Sequence, residues 1–206
     1  MSKTLAKETV TGLVLAGGRS TRMGSADKGL QLFHGKPLFM HAAERLAPQV
    51  GTLLLNANQN IARYAKSALA VVSDEPVTFS GPLAGFATGL KHCQTPYLVT
   101  VPCDSPFFPE TLVEALGNAL LQENADMAIA VTGCAPDVTP QPVFCLMRRE
   151  LLLHLLAFLE TGQRKIDAWH SSLHVARAHF TDEAAFHNIN TLAELKALEK
   201  TTGNKE

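Results

Sequence analysis

The 206-residue chain is poor in several features that would announce a function class. It has four cysteines, Cys93, Cys103, Cys134 and Cys145, with no C-x-x-C pair, so neither a zinc knuckle nor a thioredoxin-like redox site is indicated. Scattered unpaired thiols fit a reduced, cytosolic setting. Charge of one sign is not in surplus: 18 lysines and arginines face 19 aspartates and glutamates, so bulk attraction to nucleic acid is not expected. Long apolar runs are missing as well. The greasiest stretch, Leu151 to Leu159, is short and carries His154, and the polar start from Met1 to Thr9 lacks the apolar core of a signal peptide. Internal repeats and low-complexity segments are absent, and the end, Thr201 to Glu206, reads as a polar tail. With 46% hydrophobic and 18% charged residues, the chain can bury enough apolar surface to order itself as one domain.

What is present is an alternation of short apolar runs with longer runs of helical period. That pattern predicts a single α/β domain, Rossmann-like, with a mainly parallel sheet flanked by helices. The expected strands are Val10 to Ala16, Thr52 to Ala57, Ala70 to Ser73, Tyr97 to Pro102, Asp126 to Thr132, Val143 to Met147 and Leu173 to Phe180. Their near-continuous hydrophobicity suits strands covered on both faces. Helices are expected over Pro37 to Ala47, Pro82 to Cys93, Pro109 to Gln122, Arg149 to Glu160 and Leu192 to Lys200. Three of them open on proline, tolerated where the first-turn N–H is unpaired anyway. Thr191 with Glu194 has the spacing of a capping box.

The segment Leu15-Ala16-Gly17-Gly18-Arg19-Ser20-Thr21-Arg22-Met23-Gly24 follows the first strand, at the carboxyl edge where open α/β sheets bind ligands. It is neither a G-x-x-x-x-G-K-[ST] loop nor a G-x-G-x-x-G fingerprint. Gly17 and Gly18 still allow backbone N–H groups to approach an anion closely. Arg19, Arg22, Lys28 and Lys36 against Asp27 alone give residues 17–36 a net charge of +3 and leave −4 for the rest of the chain. A glycine turn that carries a local basic cluster points to phosphate.

Polar residues end several strands on the same rim. Asp104, in Val101-Pro102-Cys103-Asp104-Ser105-Pro106, stands five residues before the next expected helix, too far to cap it. A lone aspartate there suits Mg²⁺, a hard cation that takes one or two carboxylates and completes its shell with phosphate oxygens. Asp74 ends the third strand and Asn56 the second, and Asx turns would account for either equally well. Gly81 in Ser80-Gly81-Pro82-Leu83-Ala84-Gly85 marks a helix start, where a helix dipole favours anions. Asn188 and Asn190 share a face if His187 to Thr191 is extended, with Ile189 pointing into the core and no structural duty evident for either amide. Gly162-Gln163-Arg164-Lys165 offers a guanidinium suited to a phosphate. His170 and His174 have an i, i+4 spacing, but Trp169 to His174 crosses from helix into strand, so surface histidines are expected rather than a zinc pair. Ser20 and Ser105 lack a nucleophile elbow, and Cys103 reads as a small buried residue.

The run L-A-G-G-x-x-x-R-M-G, continued by Asp27-Lys28-Gly29 and Gly35-Lys36-Pro37-Leu38, resembles the signature of nucleotidyltransferases that move an NMP from an NTP. More narrowly, it resembles the molybdenum cofactor guanylyltransferase family, from about Thr11 to Leu195. The resemblance implies GMP transfer from GTP to molybdenum-molybdopterin with release of pyrophosphate. It implies Mg²⁺ on Asp104, charge neutralisation by Lys28 and Arg22, and guanine facing backbone groups of Leu15, Ala16 and Gly17. It also places Gly18, Asn56, Asp74 and Gly81 beside GTP, and Asn188, Asn190 and Arg164 on the molybdopterin side. Residues 11–105 would then serve GTP and 106–200 molybdopterin. Lys165 stands where the family often has arginine, so bidentate contact is not expected there. GTP is selected by the resemblance alone. Cytidylyl transfer to molybdopterin, nucleotidyl transfer to a sugar phosphate, and a nucleotide sensor without turnover stay open as alternatives. Oxygen-sensitive molybdopterin implies delivery by a protein partner from cofactor biosynthesis.

Overall fold

The computed structural model describes residues 4–16, 27–75, 81–134 and 137–202. In chain order these contain β1 (Val10–Leu15), β2 (Leu32–Phe33), β3 (Lys36–Pro37), α1 (Leu38–Leu46), β4 (Thr52–Asn56), α2 (Ile61–Tyr64), β5 (Ala70–Val72) and α3 (Pro82–His92). The second half adds β6 (Tyr97–Pro102), α4 (Leu112–Gln122), β7 (Met127–Cys134), β8 (Asp137–Arg148), α5 (Leu151–Glu160), α6 (Ile166–His170), β9 (Val175–Phe180) and α7 (Leu192–Thr202). Strands β5-β4-β1-β6-β8-β7-β9 form one sheet, and β2 pairs with β3 in a small hairpin. Every pairing in the large sheet is parallel except the two made by β8, which runs against β6 and β7. The expected mainly parallel α/β sheet is therefore present, with one reversed strand.

Period-two alternation sorts the strand residues onto two faces. Val10 and Val14 of β1, Val99 and Val101 of β6, and Ala128 and Ala130 of β7 pack with α1 and α4. Leu13, Leu98, Met127, Ile129 and Val131 point the other way and pack with α3, α5 and Trp169 of α6. Helix α3 lies especially close to β1: a Cβ on Gly85 would stand 2.5 Å from Leu15 Cδ2, and one on Gly89 2.5 Å from Leu13 Cδ2. A third, smaller cluster of Phe33, Leu38, Ile189 and Leu195 ties the hairpin to the C-terminal segment.

Several boundaries differ from the expected ones. Pro82 does sit in the first turn of α3, but Pro37 belongs to β3 and flanks α1, while Pro109 lies ahead of α4, whose N-cap is Thr111. Residues 137–142 extend β8 well beyond the expected Val143 start. Pro140 and Pro142 are tolerated because this end of β8 has left β6 and pairs with β7 alone, past a register shift between Ile129 and Ala130. The short helix α2 was not expected from the sequence, and α6 supplies the helical side of the expected crossing from helix into strand after Trp169. At α7, Glu194 N–H donates to Thr191 Oγ1 at 3.1 Å, whereas Glu194 Oε2 accepts from Asn190 N–H at 2.7 Å, one residue earlier than in a standard capping box.

Candidate functional site

At the carboxyl edge, hydrogen bonds continue beyond the strand ladders and knit the strand ends together. Ala16 N–H donates to the Asn56 carbonyl at 2.8 Å, Ala57 N–H to the Val72 carbonyl at 3.0 Å, and Cys103 N–H to the Leu15 carbonyl at 3.0 Å. This rim spans the point where successive strands depart to opposite sides of β1, with β4 on one side and β6 on the other. Ligands of open α/β sheets lie at such a switch point. The Leu15 carbonyl and Ala16 amide thus already have partners. Gly17, Gly18 and Arg22 lie outside the described residues.

Lys28 opens a 3₁₀ turn, Lys28–Leu30, capped by the Asp27 carboxylate, which accepts from Gly29 N–H at 3.2 Å. Its ammonium donates to Asp104 Oδ2 at 2.7 Å and to Asn190 Oδ1 at 2.9 Å. The Lys28 and Asp104 side chains are 23% and 15% exposed, so this ion pair borders solvent without being dispersed in it. Asp104 sits two residues past β6 and caps no helix, since α4 starts at Leu112. Its carbonyl accepts from Ile189 N–H at 2.8 Å, and the Ser105 hydroxyl donates to Asn188 Oδ1. Ile189 is buried, so 188–190 forms a strap that presents Asn190 to Lys28. Both asparagines therefore do have structural partners, a correction to the sequence reading.

Asp74 occupies a different environment. It is 5% exposed, and its Oδ1 accepts from Asn56 Nδ2 at 2.9 Å and Thr88 Oγ1 at 2.7 Å. Its Oδ2 accepts from Asn58 Nδ2 at 2.7 Å, and its own N–H donates to Asn58 Oδ1 at 2.8 Å. Asn58 and Thr88 were not singled out from the sequence. Thr88 did carry a signal, as a buried hydroxyl within the otherwise apolar stretch of α3. Gly81 caps α3 at φ 77°, where a residue without Cβ is favoured, and among the described residues a Cβ there would meet nothing within 4 Å. Arg164 joins none of these contacts. Its Nη1 donates to the carbonyls of Leu159 and Gln163, each at 2.6 Å, which closes the end of α5.

Cys103 is buried, and burial together with the neighbouring Asp104 pushes its thiol pKa well above normal, so it is an inert packing residue rather than a nucleophile. His170 corrects the expectation of a surface histidine: it is buried, and burial lowers its pKa to about 4. His174 lies beyond the helix and faces Glu123 at 3.6 Å, so the two imidazoles form no pair. Among the described residues no group of three or more histidines, cysteines or acids could hold a metal by itself.

The MobA-like NTP transferase domain family matches residues 12–175. The molybdenum cofactor guanylyltransferase of Bordetella pertussis is 52% identical over 193 residues, spanning 94% of this chain and 98% of the relative. That of Cupriavidus taiwanensis is 52% identical over 197 residues, spanning 95% and 98%. In solved structures, the fold is similar to molybdopterin-guanine dinucleotide biosynthesis protein A of Archaeoglobus fulgidus, with a TM-score of 0.74 at 22% identity over 94% of this chain and 98% of the other. It is equally similar to 4-diphosphocytidyl-2C-methyl-D-erythritol synthase of Anaerococcus prevotii, with a TM-score of 0.75 at 13% identity over 96% and 97%.

Proposed function

The chain belongs to the MobA-like NTP transferase family, among the molybdenum cofactor guanylyltransferases, and from that premise we infer that it transfers GMP from GTP to molybdenum-molybdopterin and releases pyrophosphate. The observation that carries the reading at this site is Lys28 held between Asp104 and Asn190. One ammonium joins the carboxylate assigned to the nucleotide side with the amide assigned to the acceptor side. In this reading residues 11–105 serve GTP and 106–200 serve molybdopterin.

The acceptor is a phosphate oxygen already ionised at neutral pH, so the reaction requires no general base. What the chain must do is align two anions for in-line attack on the α-phosphorus and offset their repulsion. Lys28 offsets it at the junction, and Arg22, with the backbone of Gly17 and Gly18, is assigned to the triphosphate. Asn56, Asp74 and Gly81 are assigned to the nucleotide, and backbone groups of Leu15, Ala16 and Gly17 to the base. Asn188, Asn190 and Arg164 are assigned to molybdopterin.

Asp104 fits Mg²⁺. Its carboxylate already carries one cationic partner at the solvent border, and the lack of a ligating cluster among the described residues suits an ion that fills its shell with phosphate oxygens and water. When bound, that ion supplies neutralisation of charge on the triphosphate. A cytoplasmic setting is supported by the free thiols of Cys93, Cys103, Cys134 and Cys145, and among the described residues no helix is long and apolar enough to cross a membrane. Protein partners of cofactor biosynthesis would deliver molybdopterin.

The test is incubation with Mg²⁺, molybdopterin and each NTP in separate reactions, followed by identification of the dinucleotide. Product with GTP is expected. Product with CTP alone, or nucleotide binding without product under any pairing, overturns the assignment.

A further inference from the structure

Behind Lys28 stands a cluster of side chains that no motif announces. Tyr64, the last residue of α2, is fully buried, and its hydroxyl donates to Asp27 Oδ1 at 2.6 Å. Asn60, the left-handed residue that precedes α2, donates from Nδ2 to Asp27 Oδ2 at 3.0 Å. Asp27 is the cap of the turn that carries Lys28: besides the Gly29 N–H, its carbonyl accepts from Leu30 N–H at 3.2 Å and Gln31 Nε2 at 3.2 Å. The turn lies directly on the phenol, since a Cβ added to Gly29 would stand 2.5 Å from the Tyr64 hydroxyl. Phe39 fixes the ring edge-on, at 4.9 Å between centroids. Burial, reinforced by Cys103 and Asp27, pushes the Tyr64 pKa far above normal, so the hydroxyl keeps its proton and donates a hydrogen bond to the carboxylate.

We propose that Tyr64 and Asn60 are positioning residues, which hold Asp27 and thereby the backbone turn from which Lys28 reaches Asp104 and Asn190. A lysine ammonium rides on a flexible four-carbon stem, so where it can act depends on where its Cα is fixed. Asp104 and Asn190 hold the charged end, while Asp27, gripped from α2, holds the root. The phenol never meets the nucleotide, yet it sets how well Lys28 engages it. The inference rests on the role given to Lys28 above.

A double-mutant cycle tests it. Tyr64→Phe and Asn60→Gly are each made in the natural chain and in a Lys28→Ala background. GTP affinity is read by equilibrium titration, kcat/KM for GTP by pyrophosphate release, and folding by melting curves. Tyr64→Phe is expected to lose about tenfold in kcat/KM and in GTP affinity when Lys28 is present, and less than about twofold when it is absent. Asn60→Gly is expected to follow the same pattern at about threefold. Its site is exposed and its φ of 51° is open to glycine, so it reports even if the phenylalanine variant folds poorly. Equal losses in both backgrounds, or no loss in either, overturn the positioning role and leave that of Lys28 standing. A Lys28→Ala protein as fast as the natural chain overturns the Lys28 role and the positioning role together.

Discussion

Asp74 and Asp104 each lie two residues past the end of a parallel strand on the same sheet edge, yet they are held in opposite ways. Asp74 is buried under three neutral donors, Asn56, Asn58 and Thr88. Asp104 keeps part of its side chain at the solvent border and faces the Lys28 ammonium. A carboxylate satisfied by neutral groups gives up three hydrogen bonds if it turns to a new partner. One that faces a cation can exchange one positive partner for another with its charge still balanced. Asp74 thus frames the rim, tying the ends of β4 and β5 to the middle of α3, whereas Asp104 keeps a partner it can exchange.

The largest effect that would break this contrast is on turnover. Asp104→Ala should slow pyrophosphate release about a hundredfold or more while the melting temperature stays near that of the natural chain. A variant that melts early yet turns over normally would make Asp104 the frame instead. Asp74→Ala should in addition lower unfolding free energy by about 2 kcal/mol in chemical denaturation, because buried donors are left unpaired. Thr88→Val sharpens the point by removing one donor of three. Its expected cost is about 1 kcal/mol, measured the same way, and a larger one would mean that Asn56 and Asn58 do not share the burden.

At neutral pH the smallest effect belongs to His170, far from both acids in its chemistry. Its folded pKa is lowered by burial to about 4 from the ordinary 6.5, so the fold prefers the neutral ring. Its contribution is complete above pH 6.5 and declines as pH falls toward 4, where the unfolded chain binds a proton that the fold refuses. His170→Gln should therefore flatten the fall of melting temperature across that window. If the slope persists unchanged, the acid sensitivity resides at the strand ends.

The central strands, Asp104 and Lys28 were legible because each announces itself locally, as an apolar run, as a charged residue ending one, or as part of a basic cluster beside a glycine turn. Asn58 and Thr88 were not, because their meaning comes from a partner brought across from another element, which spacing along the chain does not record. Tyr64 ends, and Asn60 precedes, a four-residue helix too short to show a period. The first part of β8 was hidden by Pro140 and Pro142, which argue against a strand until the loss of the β6 neighbour makes them harmless. At Arg164 the residue type suits phosphate, while its guanidinium donates to the carbonyls of its own helix end, a local arrangement that the sequence does not record.

The bond between Lys28 and Asn190 joins residues 162 positions apart, the strap having first been seated by Ile189 against Asp104. Contacts of such separation form late, after local and neighbouring pairings have closed the intervening loops. The contact that joins Lys28 to the strap therefore depends on nearly the whole chain being in place, and truncation before residue 190 would remove it.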